Sequence, residues 1–283
     1  RYGTVLKESI LNNGKYIYFF DLYNGCVVRK AYNGLYPISG SISMDSNVYN
    51  YKMRGFFKEL ADSLIASIYS TSPDHFYNGR VYFGYDSYYE NLYVTFVDKI
   101  TSTNNITLIF NENRNRWVCR YSSYVNDISS TMYSFSRNKL FSWYDSKLYK
   151  LNSDSDRCNI YGSQEGAYIT FVSHLAPNMI KIFNAIAIHS DDNWSNEYIQ
   201  ISPSTSYPNG MYTKVLDSEW INEEGVQKYE IPKNMKTRTS VINNYDRING
   251  EDMRGNVIEV KLTNDSADKV ELFKVDVISE LSK

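Results

Sequence analysis

Cysteine is scarce in this sequence: Cys26, Cys119 and Cys158 are the only three in 283 residues. None belongs to a CxxC pair or to a cysteine–histidine cluster, which argues against a structural zinc site. An odd number of cysteines also gives no sign of the disulfide framework found in secreted proteins. We therefore expect free, buried thiols and assembly in a reducing cytoplasm.

The sequence also lacks an excess of charge of either sign. Its 30 basic and 32 acidic residues give a formal net charge of −2 and a pI near 6.0. A general nucleic-acid binder would show a basic field, which this composition does not provide. There is also no apolar run long enough to predict a transmembrane helix, and no signal-peptide pattern. This composition is compatible with a protein past which DNA moves without being bound.

The short motifs of common catalytic and cofactor sites are missing. There is no GxSxG, P-loop, GxGxxG or HExxH pattern, and His75, His174 and His189 are isolated. A metal could be held by His174 and His189 together with Asp191 and Asp192, but solvated positions at strand ends are the favoured interpretation. We accordingly predict no catalytic, cofactor-binding or metal-ligating residue.

What the sequence does contain is an aromatic strand pair with an aspartate at its turn, repeated three times. The aspartates are Asp21, Asp86 and Asp145, separated by 65 and 59 residues. An aspartate at the start of a tight turn can accept hydrogen bonds from the backbone that follows, which fixes a hairpin. Three similar hairpins predict a repeated sheet unit, as in a β-propeller or a stacked array.

The segment NENRNR, residues 111–116, predicts a further hairpin turn between two apolar strands. We expect Glu112 to pair with Arg114, and Trp117 to anchor the strand that follows. A hairpin tip is the simplest interpretation, although so polar a turn is also compatible with a binding loop.

We predict a mainly all-β fold of two regions. Residues 1–160 are expected to form β-propeller-type blades with one flanking amphipathic helix at 53–69, where apolar residues recur every three or four positions. Residues 161–283 are expected to form a β-sandwich-like region with an extended polar arm at 233–252 and a closing hairpin at 257–278.

The last predicted strand has an irregular apolar pattern. The apolar residues alternate along the strand, but the alternation shifts by one position between Leu272 and Phe273. The strand is therefore either buried on both faces or interrupted by a β-bulge.

Several of these segments, in this order, resemble the tail muzzle or nozzle ("stabilization") proteins of crAss-like, short-tailed bacteriophages. The segments are GYDSYYENLYVTF, LIFNENRNRWVCRYSSY, LFSWYDSKLYKLNS and the closing MRGNVIEVKLTNDSADKVELFKVDVISE. The resemblance implies a non-enzymatic virion protein, assembled in the bacterial host cytoplasm. It implies a sixfold ring of copies, a homohexamer, around the channel through which DNA leaves. The expected partners are other copies of the chain, adjacent ring or adaptor proteins of the tail, and DNA only transiently in the lumen.

The resemblance also implies that the chain is the C-terminal fragment of a larger, cleaved precursor, whose remaining fragment would be a partner. Two other functions stay open. A receptor- or glycan-binding propeller would use an exposed Trp194 and the NENRNR turn. A glycan-degrading propeller would use Asp86 or Asp145 as carboxylates, with Asp21 as the third member of the set.

Overall fold

The computed structural model describes residues 2–40, 53–69, 78–98, 105–121, 132–153, 156–203, 210–235 and 244–282. The chain divides into two compact units, Arg1–Asp154 and Ser155–Lys283. Both consist mainly of antiparallel strands, as the sequence predicts, and the described residues contain two α-helices. These are α1 (Met53–Ile68) in the first unit and α2 (Asn244–Asn249) in the second.

The described residues of the first unit form eleven strands in three separate antiparallel sheets. They are β1 (Leu11–Asn12), β2 (Ile17–Asp21), β3 (Cys26–Ala31), β4 (Gly34–Pro37), β5 (Gly79–Asp86), β6 (Asn91–Asp98), β7 (Ile106–Asn111), β8 (Arg116–Tyr121), β9 (Met132–Ser136), β10 (Lys139–Tyr144) and β11 (Lys147–Lys150). Each sheet follows chain order: β1 to β4, β5 to β8, and β9 to β11. The described residues thus form successive meanders, without a closed barrel or propeller.

The middle sheet of this unit is covered on both faces. Along β6, Leu92, Val94 and Phe96 pack into a core shared with the first sheet and α1, whereas Tyr93 packs toward Leu140 of the third sheet. Because successive side chains of a strand point to opposite faces, a strand buried on both faces needs an unbroken apolar run. The sequence of β6 is apolar from Leu92 to Val97 except at Thr95, whose hydroxyl is hydrogen-bonded to Thr107 and Tyr133, which explains why it does not alternate.

Helix α1 buries the apolar stripe that the sequence predicts, and its observed bounds agree with the expected 53–69. Phe57 is fully buried and contacts the rings of Phe96 and Trp117. The turn after β2 lies against this helix: a Cβ added to Gly25 would come within 2.8 Å of the Lys58 Cα atom. Gly25 also has φ +60°, so both space and backbone conformation require glycine here.

Two of the three predicted aspartate turns share one design. The Oδ1 atom of Asp21 accepts a hydrogen bond from the Asn24 amide at 2.9 Å, and that of Asp86 accepts one from Tyr88 at 2.9 Å. Four residues separate each aspartate from its strand partner, and the last of the four has positive φ. These carboxylates are therefore turn acceptors, buried at the ends of their strands.

The third turn of this design is at Asn111, not at Asp145. Asn111 Oδ1 accepts from the Arg114 amide at 2.9 Å, and Asn115 closes the four-residue loop with φ +48°. Asp145 and Ser146 instead form an exposed two-residue hairpin, with φ values of +46° and +58°. Such positive values in both loop residues define a type I′ turn. The expected equivalence of Asp145 to the other two aspartates is wrong.

These two turn types predict different costs of substitution. We expect Asp86→Ala to lower the free energy of unfolding by about 1–3 kcal/mol, because it removes a buried acceptor used by the turn and by Asn152 Nδ2. Asp145→Gly should change it by less than about 0.5 kcal/mol, since glycine accepts positive φ. Urea unfolding followed by far-UV circular dichroism measures both, and equal losses would contradict this assignment.

The second unit encloses one core between two antiparallel sheets. Its strands are β12 (Asn159–Ile160), β13 (Ser163–Gln164), β14 (Ala167–Ser173), β15 (Lys181–Ser190), β16 (Ser195–Ile201), β17 (Met211–Thr213), β18 (Ile221–Glu223), β19 (Val226–Glu230), β20 (Arg254–Gly255), β21 (Ile258–Asn264) and β22 (Leu272–Leu281). One sheet has the order β14-β21-β16-β17; in the other, β15 pairs with β19, β20 and β22, and β18 extends it beyond β19. Side chains of both sheets meet in a single apolar cluster, as in a sandwich.

The expected closing hairpin at 257–278 is wrong, although both of its strands exist. β21 lies between β14 and β16 in one sheet, whereas β22 pairs with β15 in the other. Because both sides of β21 are occupied by strands from distant parts of the chain, β22 has no place beside it. The predicted irregularity in β22 is a bulge: the pairing with β15 skips Phe273.

The segment expected as an extended arm, 233–252, is only partly described, because residues 236–243 lie outside the described residues. Its two flanks pack against the second unit. The amides of Lys233 and Asn234 donate to the carbonyls of Arg247 and Glu251, at 3.0 and 2.8 Å. The described flanks of this segment are therefore an irregular stretch bonded to the second unit and a short helix, which corrects the expectation of an arm extended along its whole length.

Candidate interaction surfaces

The residues that suggested chemistry have structural roles in the described parts of the chain. Asp191 Oδ1 accepts from the Glu271 amide at 2.6 Å, and Asp192 Oδ1 from the Asn193 amide at 2.7 Å. His189 Nε2 lies 3.3 Å from Asp276 Oδ2, and His174 is exposed after β14. Among the described residues no group of three or more histidine, cysteine or acidic side chains is placed to hold a metal. His75 lies outside the described residues.

Trp194 is buried, which corrects the expectation that it is exposed. Only 7% of its surface is accessible, and it packs in the apolar cluster between the two sheets of the second unit. Its indole Nε1 donates to Ser190 Oγ at 3.0 Å, and its backbone exchanges two hydrogen bonds with the Gln227 side chain. Trp194 is thus a core residue and does not present its ring to a ligand.

The NENRNR turn is anchored by a residue on another sheet. Glu112 pairs with Arg29 of β3 at 2.5 Å and accepts a hydrogen bond from Tyr18 of β2 at 2.8 Å, so the expected pair with Arg114 is wrong. Burial and the bond to Glu112 raise the pKa of Tyr18, and burial raises the pKa of the stacked Tyr85 to about 12. The turn joins two sheets of the first unit.

Trp117 confirms the expectation that it anchors its strand. It contacts the rings of Phe57 and Phe110, and its Nε1 donates to the Ile38 carbonyl at 3.1 Å. The cysteines agree only in part with expectation: none of the three forms a disulfide, but Cys26 is buried and Cys119 is exposed.

The exposed apolar residues in the described part of the second unit include three groups, besides Ile221, Phe273, Ile278 and Leu281. The first is the outer edge of β14, which we call the open edge; among the described strands β14 pairs with β21 alone. Tyr168, Ile169 and Val172 of this strand are exposed. Aromatic and β-branched side chains at an accessible sheet edge are suited to contact with another protein.

The second feature is the segment His174–Ile180, which we call the apolar loop. Leu175 is 79% exposed, and Met179 and Ile180 are also accessible. The buried Lys181 holds the loop from below: its Nζ donates to the carbonyls of Ala176, Met179 and Asn256 at 3.0, 3.2 and 2.6 Å. Burial lowers the pKa of Lys181. A loop fixed in this way loses little conformational entropy on binding.

The third feature is the pair Tyr245 and Ile248 on α2, which we call the helix patch. The two residues are three positions apart, on one side of the helix, and Ile248 is 70% exposed. The other side of α2 is fixed, because Arg247 is buried and pairs with Glu219. The helix therefore presents an apolar pair from a rigid base.

Comparison with known protein families finds a match, and it lies in the second unit. Residues 155–251 match the family model described as the Crassvirus muzzle protein C-terminal domain. These residues are similar to this domain of the crAss-like phage muzzle proteins. The match confirms the resemblance seen in the sequence, and it begins where the second unit begins. A search of curated protein sequences finds no relative of the chain.

The matched family is that of a phage tail structural protein, so the match suggests a structural role and assembly with other tail proteins. No helix in the described part of the muzzle chain has the length and apolar character needed to cross a membrane. The exposed apolar features of the muzzle domain are thus the surfaces to consider for assembly.

Proposed function

We propose that this chain is a subunit of the distal nozzle ring of a phage tail, surrounding the channel through which DNA leaves the particle. The observation that carries the proposal is the match of the second unit to the muzzle domain. By the same resemblance, six copies form the ring, and it is assembled in the cytoplasm of the bacterial host before joining adjacent tail proteins.

The first unit supports a propeller-type architecture for this ring protein. Its three consecutive antiparallel meanders pack in succession, the middle sheet between its two neighbours. A propeller blade is such a meander, usually of four strands, with its neighbours on either face. We propose that residues 1–160 supply blades of a propeller and residues 161–283 a sandwich. The other blades would belong to the remaining fragment of a cleaved precursor.

The charge of the chain is consistent with a DNA channel. A net charge of −2 gives no strong general attraction to phosphate, and each phosphate contact would slow the passage of DNA. Rapid release of a genome is favoured by a wall that binds it weakly.

The alternative of a glycan- or receptor-binding protein loses its main candidate residue, since Trp194 is buried. The carboxylate Asp86, proposed for a glycan-degrading enzyme, is occupied by the turn that it closes. No contact in the described residues favours either function over a structural one.

The proposal predicts self-assembly of the purified chain. We expect light scattering coupled to size-exclusion chromatography to show an assembly of several copies, with six as the limit, whose amount rises with concentration. A contact that is weak between two copies is strengthened when the copies close into a ring. A chain that stays monomeric at every concentration, alone and with its adjacent tail protein, would contradict it.

A further inference from the structure

The open edge lacks the features that protect the other long sheet edges in the described part of the chain. Proteins guard exposed edge strands with charged residues or proline, or keep them short, because unpaired backbone groups invite another strand. β14 has seven residues with neither charge nor proline, and it pairs with β21 without a bulge. The other described edge strands of more than five residues carry charged side chains, among them Arg80 in β5, Arg116 and Arg120 in β8, and Lys274, Asp276 and Glu280 in β22.

Every second residue of β14 has its backbone N–H and C=O groups directed away from β21. In an antiparallel sheet both groups of one residue point to the same side, and the side alternates along the strand. On β21 the Lys261 carbonyl accepts from Asn196 Nδ2 of β16 at 3.2 Å, so Lys261 bonds toward β16 and the residues on either side of it bond toward β14. Those two residues pair with Ile169 and Phe171. The backbone groups at the open edge are therefore those of Tyr168, Thr170 and Val172.

The core side of this sheet is incompletely covered at the open edge. Ile169 pairs with Leu262, which is fully buried in the core between the two sheets. Directly opposed residues of two strands lie on the same face of a sheet, so Ile169 also faces the core side. Its side chain is nevertheless 38% exposed, since among the described strands none lies beyond β14. A further strand at this edge would remove this apolar side chain from water.

We propose that β14 pairs with β14 of a second copy of this chain, antiparallel and about a two-fold axis at Thr170. A two-fold contact joins the same surface of both copies, so the strand must be complementary to itself. In this register Tyr168 lies opposite the partner's Val172, and Thr170 lies opposite its own equivalent. These are the residues whose backbone groups point out of the edge, so the pair gains about six hydrogen bonds. A register shifted by one residue would place free backbone groups opposite groups already bonded to β21.

The side chains of β14 are also complementary to themselves in this register. Tyrosine opposite valine, threonine opposite threonine, and, on the core side, Ile169 opposite the partner's Phe171 are types of pair that stabilise antiparallel sheets. Like charges do not meet, because β14 has no charged residue. A two-fold contact closes at two copies, so this pair is a state of the free chain and is separate from the proposed ring. It covers an edge that would otherwise accept strands of other proteins.

Charge substitutions at the axis test the two-fold register. We expect size-exclusion chromatography with light scattering to show a dimer of the wild-type chain whose amount rises with concentration. Thr170→Lys and Thr170→Glu each place like charges opposite each other, so each variant alone should weaken the dimer by about tenfold or more. An equimolar mixture of the two should restore it, and Ile221→Lys, at an exposed position on β18, should leave it unchanged. A mixture that dimerises no better than either variant alone would overturn this register.

Cross-linking at the same position separates this pair from the proposed ring. With Cys119→Ser and Cys158→Ser as background, Thr170→Cys is introduced in the full chain and treated with a short bifunctional maleimide; the remaining Cys26 is buried. We expect covalent dimers, whereas the control Ile221→Cys should stay monomeric. A Thr170→Cys chain that forms no covalent dimer but still assembles into larger rings would overturn this pair and leave the ring function intact. A chain that neither dimerises nor assembles would contradict both proposals.

Discussion

Trp194→Ala should lower the free energy of unfolding of the muzzle domain by about 3–5 kcal/mol, the usual cost of removing a large aromatic side chain from a core. The ring fills the space between the two sheets, and its indole is bonded to Ser190. Truncation leaves a cavity and removes this hydrogen bond. Neighbouring backbone bonds to Gln227 should survive, because they involve the main chain of residue 194.

Urea unfolding followed by far-UV circular dichroism measures this loss without depending on tryptophan fluorescence. Trp143→Ala is the matched control: Trp143 is half-exposed on β10 of the first unit, and we expect a loss below about 1 kcal/mol. A stable Trp194→Ala chain that has lost binding to glycans would contradict the core role and would restore the adhesin hypothesis.

Glu112→Ala should have the second-largest effect, about 3 kcal/mol on the first unit. Removing one partner of a partly buried ion pair leaves the other uncompensated, which costs more than an exposed pair contributes. Here the substitution leaves both Arg29 and the Tyr18 hydroxyl without the carboxylate that holds them. Because Arg29 and Tyr18 belong to the first sheet and Glu112 to a turn of the middle sheet, the loss should loosen the packing of one sheet on the other.

Hydrogen exchange locates this effect. We expect faster exchange in β2, β3 and β7 of Glu112→Ala, and a smaller change in Glu112→Gln, which keeps an acceptor for Tyr18. Asp62→Ala breaks the exposed Lys58–Asp62 pair on α1 and should cost less than about 0.5 kcal/mol. Similar losses for Asp62→Ala and Glu112→Ala would show that burial does not distinguish the two pairs.

Local patterns predicted local structure well. The apolar stripe of α1 has helical spacing, and the bulge in β22 is visible as a change of parity at Phe273. The turns at Asp21 and Asp86 follow from the bonds that an aspartate makes to the next few amides. Asn111 has the same signal and could have been recognised. In all three cases an amide or carboxylate side chain ends an apolar strand, and four residues separate it from the next strand. Asp145 has only two residues in its loop, which distinguishes it.

Contacts between distant segments were not predictable in the same way. Glu112 meets Arg29, 83 positions earlier, and no local rule favours that partner over Arg114. The strand character of β21 and β22 follows from their composition, but their separation into two sheets depends on β14, β15 and β16. Trp194 could not be assigned to core or surface from its polar neighbours alone. Its burial depends on a sheet packed from elsewhere in the chain.

The most direct test of the central claim is the rotational symmetry of the native assembly that contains this muzzle chain, measured by electron microscopy of the phage particle. The proposed function predicts density for the chain in a sixfold ring around the channel at the distal end of the tail. A chain found singly, or as a peripheral trimer away from the channel, would contradict the nozzle function and would make receptor binding the working hypothesis.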